Sequence, residues 1–266
     1  MLLDYDRLGP WRWILGGIAL LACLFLLLPI LFIVALSFGN SRWLQFPPPG
    51  WTLKWYEELL ADPRWIEAAW TSARIGVLVT ALSVVLGGLA AMALTRGKFR
   101  GREVMRAFFL TPMVLPVVVF AVAIYALFLK LGLGGTLTGF VLAHLVLALP
   151  FSVIAISGAL ETFDPMIEEA AILCGASPWE ARWRVTLPAI RHGIFSAALF
   201  SFLVSWDEVV VAIFMASPTL QTLPVRIWAT LRQDLTPVIA AASTLMLALT
   251  LGLMLLAALM RKGKSK

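Results

Sequence analysis

The sequence is poor in charge and in the residues from which most enzyme sites are built. Only 14% of its residues are charged, whereas an average soluble domain has about a quarter. It contains two histidines and two cysteines, and Cys23 and Cys174 are too far apart to form a metal-binding spacing or a disulfide framework. These scarcities predict two free thiols and no metal site.

The motifs of common enzymes are missing as well. Neither H-E-x-x-H nor G-x-S-x-G occurs in the sequence. Gly263-Lys264-Ser265 imitates the end of a phosphate-binding P-loop, but the first glycine of that pattern would fall on Ala258. We therefore expect that the chain is not an enzyme, binds no ATP itself and carries no cofactor. An intramembrane enzyme is the weakest of the alternative functions.

Long apolar runs are what the sequence has in abundance. Hydrophobic residues make up 61% of the chain, and its mean hydropathy is +0.93. A bilayer core takes about 20 apolar residues per helix and offers the backbone no other hydrogen-bond partner. The sequence therefore predicts an all-α membrane protein, one domain over residues 1–266, with six transmembrane helices near residues 13–38, 73–94, 107–129, 136–159, 193–216 and 237–260.

The lysines and arginines are unevenly divided between the two sides of these runs. Fourteen of the 21 basic residues fall in one set of segments, and such an excess is typical of the cytoplasmic side. The bias predicts that both termini are cytoplasmic. It also explains the net charge of +6 by contact with an anionic membrane surface, without a nucleic-acid partner.

One long loop, residues 39–70, is predicted on the opposite side. Asp62-Pro63 is expected to open the helix that leads into the second run. Tryptophans are frequent at membrane interfaces, so we expect an interfacial belt formed by Trp43, Trp51, Trp55, Trp65 and Trp70. A docking surface for a partner is the alternative.

A charged segment, residues 160–192, interrupts the apolar pattern between the fourth and fifth runs. A helix capped by Asp164 is expected to stop at Gly175. A second helix should open with a capping box at Ser177, and Leu187-Pro188 should end it. The segment would then place two short helices across the cytoplasmic mouth. An ordinary interhelical loop that happens to be helical is the alternative.

The same segment carries a fixed spacing of residues. Glu169-Ala170-Ala171, three residues, Gly175, nine residues, Val185, one residue and Leu187-Pro188 follow one another. This spacing resembles the EAA signature of ABC-importer permeases, from which only Val185, in place of isoleucine, departs. The resemblance implies the type I ABC importer permease fold, with this segment as a coupling helix that docks on an ATPase. ATP and Mg²⁺ would then be bound by that partner.

Acidic residues inside an apolar run are the other candidate site. Asp207 and Glu208 lie within the fifth run, beside Trp206. Placing a charged side chain inside a membrane costs free energy, so such residues usually have a function. These three residues are therefore candidates for the substrate pathway. A buried contact between helices is the alternative. His144, in the fourth run, is expected to be a hydrogen-bonded packing residue.

The stretches "GWTLKWYEELL" and "SWDEVVVAIFMASP" resemble the second permease subunit of spermidine/putrescine-type importers, with residues 71–260 as the family core. This implies an inner-membrane subunit that imports a polyamine by alternating access. A second permease, two ATPase copies and an extracytoplasmic binding protein would be its partners. GABA or another small amine stays open as substrate. An ion-coupled secondary transporter, with Asp207 or Glu208 as the proton site, is the alternative from another class.

Overall fold

The computed structural model describes residues 11–262, with side chains to residue 259. Some of the 14 basic residues that indicate the cytoplasmic side, among them Arg7 and Lys264, lie outside this range, as does the P-loop-like ending. Apart from two isolated bridges, the described residues form helices, turns and irregular segments. The longer helices are α1 (Trp11–Ser37), α2 (Lys54–Ala61), α3 (Pro63–Arg96), α4 (Arg102–Leu110), α5 (Val117–Lys130) and α6 (Leu137–Thr162). They are followed by α7 (Pro165–Leu173), α8 (Pro178–Ala181), α9 (Leu187–Ala189), α10 (Arg191–Trp206), α11 (Val210–Met215), α12 (Leu223–Gln233) and α13 (Pro237–Lys262).

Four of these helices, α1, α3, α6 and α13, are each long and apolar enough to cross a membrane. Two further pairs pass the same test together but are bent, so the described residues hold between four and six candidate spans. The all-α architecture is as predicted. Pro63 is the first residue of α3, which confirms the predicted helix start.

The third predicted span is bent. Helix α4 runs into a 3₁₀ turn, Thr111–Met113, and α5 begins after Pro116, at 100° to the preceding helix. A proline has no N–H to donate and its ring collides with the preceding turn, so two prolines within five residues break a helix. The sequence predicts that Pro112 and Pro116 disturb the start of the third span, and the structure confirms this. A single helix over 107–129 is therefore wrong.

The fifth predicted span is also interrupted. Helix α10 ends at Trp206 and α11 starts at Val210, so Asp207 and Glu208 lie in a non-helical break. We expected these two residues in a continuous helix over 193–216, and that expectation is wrong. The physical reason is that the Glu208 carboxylate accepts the backbone N–H of Val211, which starts a new helix instead of continuing the old one.

The chain divides into two compact units, Met1–Asp62 with Thr230–Ala248 and Pro63–Ala229 with Leu249–Lys266. In the first unit the loop after α1 is held by backbone and side-chain bonds. Trp55 Nε1 donates to the carbonyl of Gly39 at 2.6 Å, and the hydroxyls of Ser37 and Tyr56 lie 2.7 Å apart. Trp55 is buried, and in the second unit Trp65 is buried beneath Arg226. These two tryptophans are core residues and do not belong to the predicted interfacial belt, whereas Trp43, Trp51 and Trp70 are exposed as expected.

The second unit is built around α3, α6 and α10. Small residues allow these helices to approach closely: a Cβ added to Gly87 would lie 2.6 Å from that of Ser152. Three buried hydroxyls meet at the same place, with 2.8 Å from Ser83 to Ser152, 2.8 Å from Ser152 to Ser201 and 3.1 Å from Ser201 to Ser83. Close packing of small residues with polar contacts between helices is how helices associate in lipid.

Candidate functional site

The charged segment of residues 160–192, called the coupling segment below, begins as its sequence predicts. The Asp164 carboxylate accepts the N–H of Met166 at 2.9 Å, and Pro165 is the first residue of α7. Such a cap satisfies one of the donors that every helix leaves free at its start. Helix α7 ends at Leu173, and Gly175 follows with φ +95°. This left-handed conformation favours glycine, so the predicted turn at Gly175 is confirmed.

The second half of the segment departs from the prediction at its end. The capping box is present, because Ser177 Oγ accepts the N–H of Glu180 while the Glu180 carboxylate accepts the N–H of Ser177. The bond from the Ser177 N–H is also the largest cause of a lowered pKa of Glu180. The expectation that Leu187-Pro188 ends this helix is wrong.

The helix instead continues through a π-helical stretch, Arg182–Thr186, into α9 and stops at Ile190. The N–H of Leu187 bonds to the carbonyl of Arg182, five residues back. This wider turn directly precedes Pro188. A π-bulge provides room where a proline ring would collide with a regular α-helical turn, so the proline is accommodated.

The signature residues lie mostly on the outer surface of this segment. Glu169, Ala170, Gly175 and Pro188 are exposed, and Ala171 and Leu187 are partly covered. Large apolar side chains are exposed around them, namely Met166, Ile167, Ile172, Leu173, Trp179 and Trp183. An apolar patch rimmed by polar residues marks an interaction surface. This surface is suitable for a partner protein.

Two partly buried residues, Glu168 and Arg96, hold the coupling segment in place through hydrogen bonds. Neither was predicted from the sequence. The Glu168 carboxylate accepts bonds from Thr186 Oγ1 at 2.7 Å and from Arg182 Nε at 3.4 Å. Arg96, at the end of α3, donates to the carbonyls of Leu160 and Phe163 at 3.2 Å and 2.9 Å. Arg96 and Arg182 are among the 14 basic residues from which the topology was predicted, and no further role was expected for them. No spacing rule distinguishes Glu168 from its neighbour Glu169, so the sequence held no usable signal for it.

The second candidate site is the break between α10 and α11. Trp206 is 4% exposed and stacks on Phe202, with ring centroids 5.7 Å apart. Glu208 is partly buried and caps α11 through the bond of 2.9 Å from the Val211 N–H. Asp207 is exposed. The three residues therefore differ in their surroundings: Trp206 packs, Glu208 shapes the backbone, and the Asp207 carboxylate is accessible to a solute.

His144 is fully buried, and its Nδ1 lies 3.0 Å from Ser205 Oγ. The contact confirms a hydrogen-bonded packing residue between α6 and α10.

A polytopic helical protein with an exposed helical segment of this signature is a permease of an ABC importer. The chain belongs to the family described as binding-protein-dependent transport system inner membrane component, whose model matches residues 83–265. It is thus a multi-pass component of the inner membrane.

Several curated relatives align with nearly the whole chain. The spermidine/putrescine transport system permease protein PotC of Haemophilus influenzae is 33% identical over 238 residues, 90% of this chain and 92% of that protein. The putrescine transport system permease protein PotI of Escherichia coli K12 is 35% identical over 247 residues, covering 90% and 86% of the two chains. PotC of the same strain is 29% identical over 255 residues and 96% of both chains.

Solved structures share the fold at lower identity. A bacterial ABC transporter involved in the import of the acidic polysaccharide alginate matches with a TM-score of 0.71 at 16% identity, over 100% of this chain and 99% of that chain. The alginate transporter in complex with an alginate pentasaccharide-bound periplasmic protein matches with a TM-score of 0.74 at 16% identity, over 99% and 98% of the two chains. These neighbours show that the fold is the type I permease fold, as predicted.

Proposed function

We propose that this chain is one permease subunit of an ATP-driven importer of polyamines, with putrescine or spermidine as substrate. The observation that carries the proposal is the break at Asp207 and Glu208, which places two carboxylates between two apolar helices. The names of the relatives with 29–35% identity point to the same substrates.

A carboxylate attracts an organic cation more strongly where apolar walls lower the local dielectric than it does in bulk water. Asp207 is exposed, whereas the Glu208 carboxylate is already bonded to the α11 backbone. We therefore assign the direct contact with a substrate amine to Asp207. Glu208 shapes the break and adds its charge, and Trp206 supports the break from the buried side.

We further propose that an ATPase docks on the exposed apolar surface of the coupling segment. In this arrangement the ATPase binds ATP and Mg²⁺, and the permease transmits the movement. A second permease subunit, two copies of the ATPase and an extracytoplasmic binding protein would complete the transporter. Both chain termini would then lie on the cytoplasmic side, together with the coupling segment.

The experiment is uptake of labelled putrescine and spermidine by vesicles that contain the purified complex. Asp207→Asn keeps the shape of the side chain and removes its charge, and we expect a loss of uptake of about tenfold to a hundredfold. Glu208→Gln retains an oxygen that can accept the Val211 N–H, so its loss should be smaller, about tenfold or less. Both variants should give the wild-type yield of complex, because packing volume hardly changes.

Two outcomes would contradict the proposal. If the wild-type complex carries no polyamine, the substrate assignment is wrong. If uptake by Asp207→Asn equals that of wild type, the acidic break is not part of the pathway, and the permease assignment would stand on the family match alone. Poor assembly with normal transport by the assembled fraction would indicate a purely structural role.

A further inference from the structure

The bonds inside the coupling segment involve side chains that its signature leaves unspecified. Glu168 precedes the signature glutamate, and Thr186 is the variable residue between Val185 and Leu187. Thr186 Oγ1 donates to Glu168 Oε2 at 2.7 Å across 18 residues of chain. The hydroxyl and carboxylate therefore join the first helix of the segment to the end of the second.

The two bonds of Glu168 differ in strength because their surroundings differ. The Glu168 side chain is 17% exposed and Thr186 is 2% exposed, whereas the Arg182 side chain is 51% exposed. A short hydroxyl–carboxylate bond in a sheltered position is a strong one. An exposed ion pair at 3.4 Å contributes little. The bond to Thr186 is thus the stronger of the two connections that Glu168 makes to the second helix.

The position of this bond decides which helices can move together. Helix α7 carries much of the exposed apolar surface, and Thr186 lies five residues before α10. Along the chain, the route from α7 to α10 passes through the turn at Gly175. Two backbone bonds close that turn, from the N–H of Gly175 to the carbonyl of Ile172 and from the N–H of Ala176 to the carbonyl of Ala171. The Glu168–Thr186 bond bypasses that turn.

The chain just before α7 is anchored to a different helix. Arg96 donates to the carbonyls of Leu160 and Phe163, and its guanidinium lies 5.9 Å from the centre of the Phe163 ring. These contacts tie the end of α6 to the end of α3. A displacement of α7 is then resisted on the α3 side and can pass to α10 through Thr186.

We propose that Glu168 is the positioning residue of the coupling segment. Through Thr186 it makes α7, the π-helical stretch and α9 move as one body, so that a displacement at the docking surface reaches α10 and the acidic break. This inference rests on the proposed docking of an ATPase to the segment. Without the bond, the ATPase still binds and hydrolyses ATP, but hydrolysis no longer drives uptake.

The test compares uptake with ATP hydrolysis in the same vesicles, containing the full transporter and the binding protein. Thr186→Val replaces the hydroxyl by a methyl group of similar size and should lower uptake per ATP hydrolysed about tenfold. Thr186→Ser keeps the hydroxyl and should restore the wild-type ratio. Glu168→Gln, which still offers an acceptor oxygen, should fall between the two. Glu161→Gln is the matched control, because Glu161 is an exposed glutamate on α6 with only a weak ion pair at 4.0 Å.

A combined variant tests whether the two residues act through one bond. Adding Thr186→Val to Glu168→Ala should lower the ratio no further than Glu168→Ala alone, since residues in one contact are not additive. Additive losses would contradict the proposal. Equal defects in Thr186→Ser and Thr186→Val would do so too.

Two further results would contradict the proposed role of Glu168. If uptake and hydrolysis fall together and the ATPase is lost from the purified complex, Glu168 only builds the docking surface and the inference is wrong. An unchanged ratio in Thr186→Val would overturn it as well. Failure of the proposed function is separate, because it would show in the wild-type protein as missing uptake or a missing ATPase.

Discussion

Gly175 offers a graded test of the coupling segment. Its φ is +95°, and a Cβ built on it meets no heavy atom within 4 Å. Substitution therefore causes no collision, and its whole cost is conformational. Alanine in a left-handed conformation costs about 1–2 kcal/mol, and a β-branched valine costs about 3 kcal/mol. Asparagine costs less than alanine, because its side chain can bond locally to the backbone.

Each conformational cost lowers the fraction of molecules in which the turn has the geometry needed for docking. Since 1.4 kcal/mol corresponds to about a factor of ten, Gly175→Ala should reduce that population about tenfold and Gly175→Val about a hundredfold. Gly175→Asn should stay within about fivefold of wild type. The measurement is uptake per ATP hydrolysed in vesicles, with the yield of complex as a control for assembly.

The order of the three variants is what refutes or supports the reasoning. Asparagine is larger than alanine, so a steric cause would rank Asn below Ala, whereas a conformational cause ranks it above. Uptake by Gly175→Ala that exceeds uptake by Gly175→Asn would contradict the argument. Wild-type coupling in Gly175→Val would show that the turn does not position the docking surface.

Two further predictions concern helix packing and orientation. Gly87→Ala brings a Cβ to 2.6 Å from that of Ser152 and should destabilise the purified subunit by about 1–3 kcal/mol, whereas Gly88→Ala should be neutral because its nearest contact is an ordinary 3.6 Å. Equal melting temperatures would show that α3 and α6 do not meet at Gly87. In a variant without its two cysteines, an impermeant thiol reagent added outside should label a cysteine at Gln45 and miss one at Glu180; the reverse pattern would invert the topology.

The sequence predicted the long helices well because lipid leaves an apolar run few alternatives. Helices α1, α6 and α13 coincide with predicted runs to within a few residues. Local chemistry was equally informative at the start of the coupling segment, where Asp164, Gly175 and Ser177 have the predicted roles. At these positions a single residue type satisfies a single backbone requirement.

The predictions were wrong where a side chain or a wider turn changed the backbone. Hydropathy does not distinguish a continuous helix from two helices with a break, so the end of α10 at Trp206 was missed. A proline usually ends a helix, but the π-helical stretch absorbs Pro188. The tryptophans gave a similar result, because composition cannot distinguish the exposed Trp43 from the buried Trp55.

The contacts that carry our inference join residues distant in sequence. Glu168 and Thr186 are 18 residues apart, and Arg96 reaches a carbonyl 67 residues further along the chain. A single sequence contains no record of such pairs. The signature identifies the segment and its surface, but only the fold shows that Glu168 turns inward while Glu169 faces out.

The three buried serines form a closed ring of hydroxyls on α3, α6 and α10. Ser201 donates to Ser83. If Ser83 donates to Ser152 and Ser152 donates to Ser201, each hydroxyl donates one hydrogen bond and accepts one. Removal of any one hydroxyl breaks two bonds and leaves both a donor and an acceptor without a partner. A slide of one helix by a single residue, about 1.5 Å, would disturb two of the three bonds. The ring thus sets the axial register of α3, α6 and α10 at once.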